Sequence, residues 1–122
     1  MREREARFAR DVLPEHGRVR VVEVGTHRIG LYRVGESVYA LADRCPHRGA
    51  PLCAGAVATP IRVEDGELAI GQADSVVRCP WHKWEFEIAT GRCTVDEQLR
   101  VRRYSVSFEG DVVVVSLDAP PA

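Results

Sequence analysis

Two short stretches begin with the same three residues, Arg-Cys-Pro: "RCPHRGAPLC" at 44–53 and "RCPWHKWEF" at 78–86. Each sets a cysteine close to a histidine, Cys45 with His47 and Cys79 with His82. A centre that takes one cysteine and one histidine from each of two loops constrains the chain to bring these stretches together. Zinc takes two thiolates and two imidazoles, so a tetrahedral zinc site is compatible with the residue types. Structural zinc sites usually pair like ligands, and neither pair here has helical spacing. One thiolate and one imidazole per loop suits a binuclear centre better, with each loop giving one ligand to each metal ion.

The segments between and around these stretches read as strands. "RVRVVEVG" alternates and is rich in valine, and "HRIGLYRV" and "SVYALAD" follow as strands, with a turn expected at Gly35-Glu36. "IRVEDGELAI" predicts a hairpin about Asp65-Gly66, and "SVVRC", "WEFEI", "RYSVSFE" and "DVVVVSL" follow as short strands, the last two joined across Gly110. The expected class is all-β, an antiparallel barrel or sandwich. The valine run in "DVVVVSL" reads either as an aggregation-prone edge or as a strand buried on both faces. Residues 2–13 predict a short helix, with Phe8, Ala9, Val12 and Leu13 on one face and a Glu3–Arg7 pair. A single domain over 1–122 is expected, with loops of interest within 41–91, an N-terminal extension over 1–16 and a flexible tail over 118–122.

Composition excludes several functions. The 122 residues are 45% hydrophobic and 29% charged, with a net charge of −1. Neither a nucleic-acid footprint nor a polybasic membrane patch is expected, and no apolar run reaches membrane-spanning length. No signal or transit pattern is legible at the start, so the cytoplasm is the expected compartment. There, four cysteines are metal ligands or buried thiols rather than a disulfide framework.

"CPHRGAPL" and "CPWHKWEFEIATG" resemble the two cluster loops of Rieske proteins, above all the ferredoxin-like members. The resemblance implies one 2Fe–2S cluster, carried by a small subdomain inserted into a larger β base. Cys45 and Cys79 would bind the buried iron, and His47 and His82 the outer one. Histidine ligation has an electrostatic reason. Two ferric ions, two sulfides, two thiolates and two neutral imidazoles sum to zero, whereas an all-cysteine cluster starts with two negative charges and resists a further electron in a low-dielectric pocket. High-potential members carry a loop-bridging disulfide and hydroxyls bonded to the cluster. Here the corresponding positions hold Ala50, Trp81, Trp84 and Phe86, which implies a low potential. The family usually has glycine after the second histidine, and here Lys83 stands there, either solvated or beside a docking partner.

The remaining candidates are read more plainly. Cys53 and Cys93 read as small buried hydrophobes, His16 and His27 as surface residues in turns. One of Trp81 and Trp84 packs under the second loop and the other shields the cluster. The 61–70 hairpin reads first as a tolerated insert and second as a shaper of a partner surface. The chain has no nucleotide fingerprint, and for a mononuclear oxygenase iron only His16 and His27 remain, both upstream of the two loops in strand-and-turn sequence. The expected role is therefore a one-electron carrier between a flavin reductase and a terminal oxygenase or reductase. The alternatives are a small subunit of a larger reductase, of the nitrite reductase kind, or a zinc-stabilised binding module. Neither nucleic acid nor membrane is an expected partner, and the sequence leaves the oligomeric state open.

Overall fold

A computed structural model describes residues 4–46, 49–81 and 84–118. Eleven strands are present among them: β1 (Glu5–Ala9), β2 (Val19–Val24), β3 (His27–Val34), β4 (Ser37–Ala42), β5 (Ala56–Ala58), β6 (Ile61–Glu64), β7 (Glu67–Ile70), β8 (Val76–Arg78), β9 (Glu85–Glu87), β10 (Arg103–Glu109) and β11 (Val112–Ser116). They form a six-stranded antiparallel sheet, order β1-β11-β10-β4-β3-β2, a three-stranded sheet β5-β8-β9, and the isolated pair β6-β7. The large sheet curls into a nearly closed barrel, as expected for the all-β class. No helix among the described residues is long and apolar enough to cross a membrane.

Turn chemistry explains the regularity of the base. The β2-β3, β3-β4 and β10-β11 hairpins each close through two residues, with glycine at positive φ in the first position: Gly25, Gly35 and Gly110. That backbone matches the right-handed twist of the strands on either side.

β3 is buried on both faces and joins the two cores. Ile29 and Leu31 face the barrel interior with Val22, Val24, Val113 and Val115. Tyr32 and Val34 belong to a second apolar core with Leu52, Val77, Phe86 and Ile88 from the inserted segment. The smaller sheet is thus seated on the back of the barrel by a continuous apolar layer.

The structure corrects the reading of the N-terminus. Residues 5–9 are a strand, paired with β11 from Glu5↔Ser116 to Ala9↔Val112, and a 3-10 turn follows over Arg10–Val12. An isolated short helix gains little in water. Pairing instead satisfies the outer edge of β11, and Ala6 and Phe8 pack on the barrel core while Val12 is buried. Arg7 pairs with Glu5 and Glu109; Glu3 lies outside the described residues. The valine run is therefore a central strand, bonded to β1 on one side and β10 on the other. Asp118, expected in a flexible tail, accepts two hydrogen bonds from the Arg4 guanidinium, which hold its carboxyl below the usual carboxylate range. Residues 119–122 lie outside the described residues.

Candidate metal centre

The two Arg-Cys-Pro stretches leave β4 and β8 and are closed in the same way. The Cys45 N–H donates to the Ala50 carbonyl at 2.8 Å, and the Cys79 N–H donates to the Trp84 carbonyl at 2.7 Å. Each cysteine thus opens a loop sealed by a backbone bond to the residue five positions on. The first is tightened by the Gly49 N–H, which donates to the Cys45 carbonyl at 2.7 Å. Gly49 holds φ at +75°, a conformation costly for a side-chain-bearing residue.

One close approach and one strand pair set the loops side by side. A Cβ on Gly55, at the exit of the first loop, would lie 1.8 Å from the Arg78 carbonyl, immediately before Cys79. β5 then pairs with β8 in the register Ala56↔Arg78. Only glycine lets the two backbones approach this closely.

Each loop is also clamped at its root by a carboxylate. Asp43 Oδ1 accepts the Cys53 N–H at 2.8 Å, and Oδ2 accepts from Arg28 Nε at 3.1 Å, with the Asp43 side chain only 3% exposed. Glu85, directly after the second loop, faces Arg78 directly before it at 3.6 Å, and also accepts from Arg62 at 2.8 Å and from Thr94 Oγ1 at 3.1 Å. Asp43, Gly49, Gly55 and Glu85 escaped the sequence reading. For the acidic pair, their places at the loop roots, Asp43 two residues before Cys45 and Glu85 two residues after Lys83, were the available signal.

Cys45 and Cys79 are buried in the same apolar core, at 0% and 1% exposure, with Ala50, Leu52, Phe86 and Ile88 around them. Neither is in a disulfide. Two soft, thiolate-forming side chains shielded from water in adjacent, matching loops suit an iron–sulfur cluster. His47 and His82, the other two candidate ligands, and Lys83 lie outside the described residues.

The remaining candidates sort clearly. Cys93 is fully buried in the core beneath the loops. Cys53 is half-buried and more engaged than a plain hydrophobe: the Tyr32 hydroxyl donates to its Sγ at 3.6 Å, and it abuts Gly30, where a Cβ would come within 2.4 Å of the sulfur. Burial pushes its thiol up to about 12, against the lowering effect of the Tyr32 bond and with the help of the Asp43 charge. His16 is exposed, as expected. His27 is not a surface residue: it is half-buried at the start of β3, edge-on to Tyr104 at 6.2 Å, with Nδ1 enclosed. Trp84 packs on the core while Trp81 is 56% exposed, so Trp84 is the tryptophan beneath the second loop.

The family model described as the Rieske [2Fe-2S] domain matches residues 5–106. Among curated proteins the chain is similar to apoptosis-inducing factor 3 of Mus musculus, 38% identical over 77 residues, covering 63% of this chain and 10% of that protein. It is also similar to ferredoxin CarAc of Metapseudomonas resinovorans, 35% identical over 81 residues, covering 62% of each. The chain thus spans about a tenth of the first of these relatives and less than two thirds of the second. Among solved structures, the ferredoxin of carbazole 1,9a-dioxygenase from Nocardioides aromaticivorans IC177 superposes with a TM-score of 0.68 at 27% identity, covering 95% of each chain.

Proposed function

This chain belongs to the Rieske [2Fe-2S] domain family, and on that ground we propose that it is a one-electron carrier, taking electrons from a flavin reductase and passing them to an oxygenase or similar redox enzyme. The observation that carries the reading is the pair of buried cysteines, Cys45 and Cys79, each opening a loop sealed by the same backbone bond. Two of the proteins it is similar to are ferredoxins, one of them of a dioxygenase.

In this reading Cys45 and Cys79 hold one iron of the Rieske-type 2Fe–2S cluster and His47 and His82 the other. The bound cluster supplies a single reversible electron step. The chain's own residues supply position and dielectric. The backbone seals at Cys45 and Cys79 and the clamps at Asp43 and Glu85 keep the loops in place, so little reorganisation accompanies the electron. Leu52, Phe86 and Ile88 exclude water from the cysteine side. The side chains of Trp84 and Phe86 carry no hydroxyl with which to stabilise added charge, which keeps the potential low. The same reading keeps the protein in the cytoplasm, where its thiols stay reduced.

The test is direct. Protein purified anaerobically is expected to be red-brown, to hold about two irons and two acid-labile sulfides per chain, and to accept one electron per cluster. A colourless protein holding one zinc ion overturns the reading.

A further inference from the structure

The β6-β7 hairpin is built inside out. In its register Ile61 opposes Ile70 and Val63 opposes Leu68, so these four share one face, while Arg62, Glu64, Glu67 and Ala69 share the other. The polar face is the anchored one: at its base Arg62 bonds Glu85 beside the second loop and Ala69 is half-buried, while Glu64 and Glu67 at the tip are exposed. The four aliphatic side chains are left 57–73% exposed. An apolar face held outward by an anchored polar one is the reverse of what folding alone selects, and patches of this kind mark interaction sites.

We propose that this face docks the redox partner, and that the partner presents an apolar patch rimmed by lysine or arginine. The inference rests on the electron-carrier reading above. Charge selects the partner. The tip, Glu64-Asp65-Gly66-Glu67, ends the hairpin in three exposed carboxylates, with Glu64 and Glu67 on the face opposite the aliphatic four, and none forms an ion pair with a described residue. The turn that presents them has Asp65 and Gly66 both at positive φ, +52° and +80°, the two-residue geometry that suits a tight hairpin.

The same features disfavour other occupants. A second copy laid hairpin to hairpin brings a matching acidic tip, and Arg62, the hairpin's one basic residue, is already engaged by Glu85. Four aliphatic side chains also offer only a few hundred Å², about half of the ~800 Å² that one side of a stable complex buries. That size fits a transient electron-transfer encounter. An anionic bilayer is repelled by the tip. Location agrees with function, because the Arg62–Glu85 bond holds the hairpin next to Trp84, whose carbonyl seals the second loop.

The experiment uses the holoprotein reduced with dithionite and two acceptors followed by stopped flow. One is cytochrome c, whose exposed haem edge is apolar and ringed with lysines; the other is benzoquinone, a small neutral molecule that needs no docking surface. Val63→Ser/Leu68→Ser is expected to lower the second-order rate to cytochrome c about tenfold. Glu64→Gln/Glu67→Gln is expected to lower it several-fold at low salt and to flatten its salt dependence. The visible spectrum and the benzoquinone rate stay those of wild type in both variants. Unchanged cytochrome c rates overturn the inference and leave the carrier reading standing. A concentration-dependent dimer abolished by Val63→Ser/Leu68→Ser overturns it in favour of a second copy, and sedimentation with phosphatidylcholine vesicles lost in that variant overturns it in favour of lipid. A wild type that reduces neither acceptor overturns both readings.

Discussion

Asp43 and Cys53 stand ten positions apart and are joined by a 2.8 Å bond from the Cys53 N–H to the Asp43 carboxylate, so the entrance and exit of the first loop are held by one buried side chain. Removing it leaves a backbone donor without its partner in a water-poor site. Asp43→Ala is expected to cost about 1–3 kcal/mol of stability and to speed iron loss. Asp43→Asn keeps a neutral acceptor and is expected to cost less. Denaturant unfolding followed by far-UV dichroism, beside the decay of visible absorbance, measures both. Equal stability in all three proteins would mean the clamp is idle.

Cysteine substitutions separate ligands from packing. Cys45→Ser and Cys79→Ser are expected to lose the iron and to destabilise the loops, since metal binding and folding are linked. Cys53→Ser is expected to keep the visible spectrum. Iron analysis and absorption of the three variants check this, and loss of the spectrum in Cys53→Ser would reassign the ligands.

The thiol of Cys53 should be slow to react. With its pKa pushed up to about 12, it stays protonated at pH 8, so iodoacetamide modifies it far more slowly in the folded protein than in guanidinium. The sign of the linkage follows. Unfolded Cys53 ionises near pH 9 and folded Cys53 near 12, so between these values the unfolded state releases a proton the folded state keeps. Its contribution to stability is full below about pH 9 and falls as pH rises towards 12. Wild type and Cys53→Ala should therefore converge in stability, or cross, over that window; a constant difference would refute the shift.

Phe86 and Ala50 are both fully buried, and by the resemblance to Rieske proteins they stand at the positions of a tyrosine and of a bridging cysteine in the high-potential members. The midpoint potential is expected near the lower end of the Rieske range, about −150 to 0 mV at pH 7. Protein-film voltammetry measures it. A midpoint above roughly +200 mV would require hydrogen bonds to the cluster from groups other than these side chains.

Deleting residues 1–9 strips β1 from β11 and leaves Val112–Ser116 as an open edge. The truncated protein is expected to aggregate at concentrations where the full chain stays dispersed, as light scattering would report.

Local chemistry made much of this protein readable in advance. The two Arg-Cys-Pro stretches, the alternation of β2 and the Asp65-Gly66 turn each depend on neighbours within a few residues, and β6-β7 forms over the span its pattern predicts. The resemblance to Rieske proteins rested on the same short motifs, and the family match over 5–106 agrees with it. Long-range partners decided the rest. Residues 5–9 have a pattern short enough to fit a helix or a strand, and the open edge of β11, more than a hundred positions away, selects the strand because unpaired backbone is costly. The carboxylates of Asp43 and Glu85 became loop clamps only when the chain brought Cys53, Arg28, Arg78 and Arg62 around them. The outward turn of Ile61, Val63, Leu68 and Ile70 was settled in the same way. Alternation shows that a hairpin has an apolar face, but which face meets the protein depends on where its polar face finds an anchor, and here that anchor is Glu85.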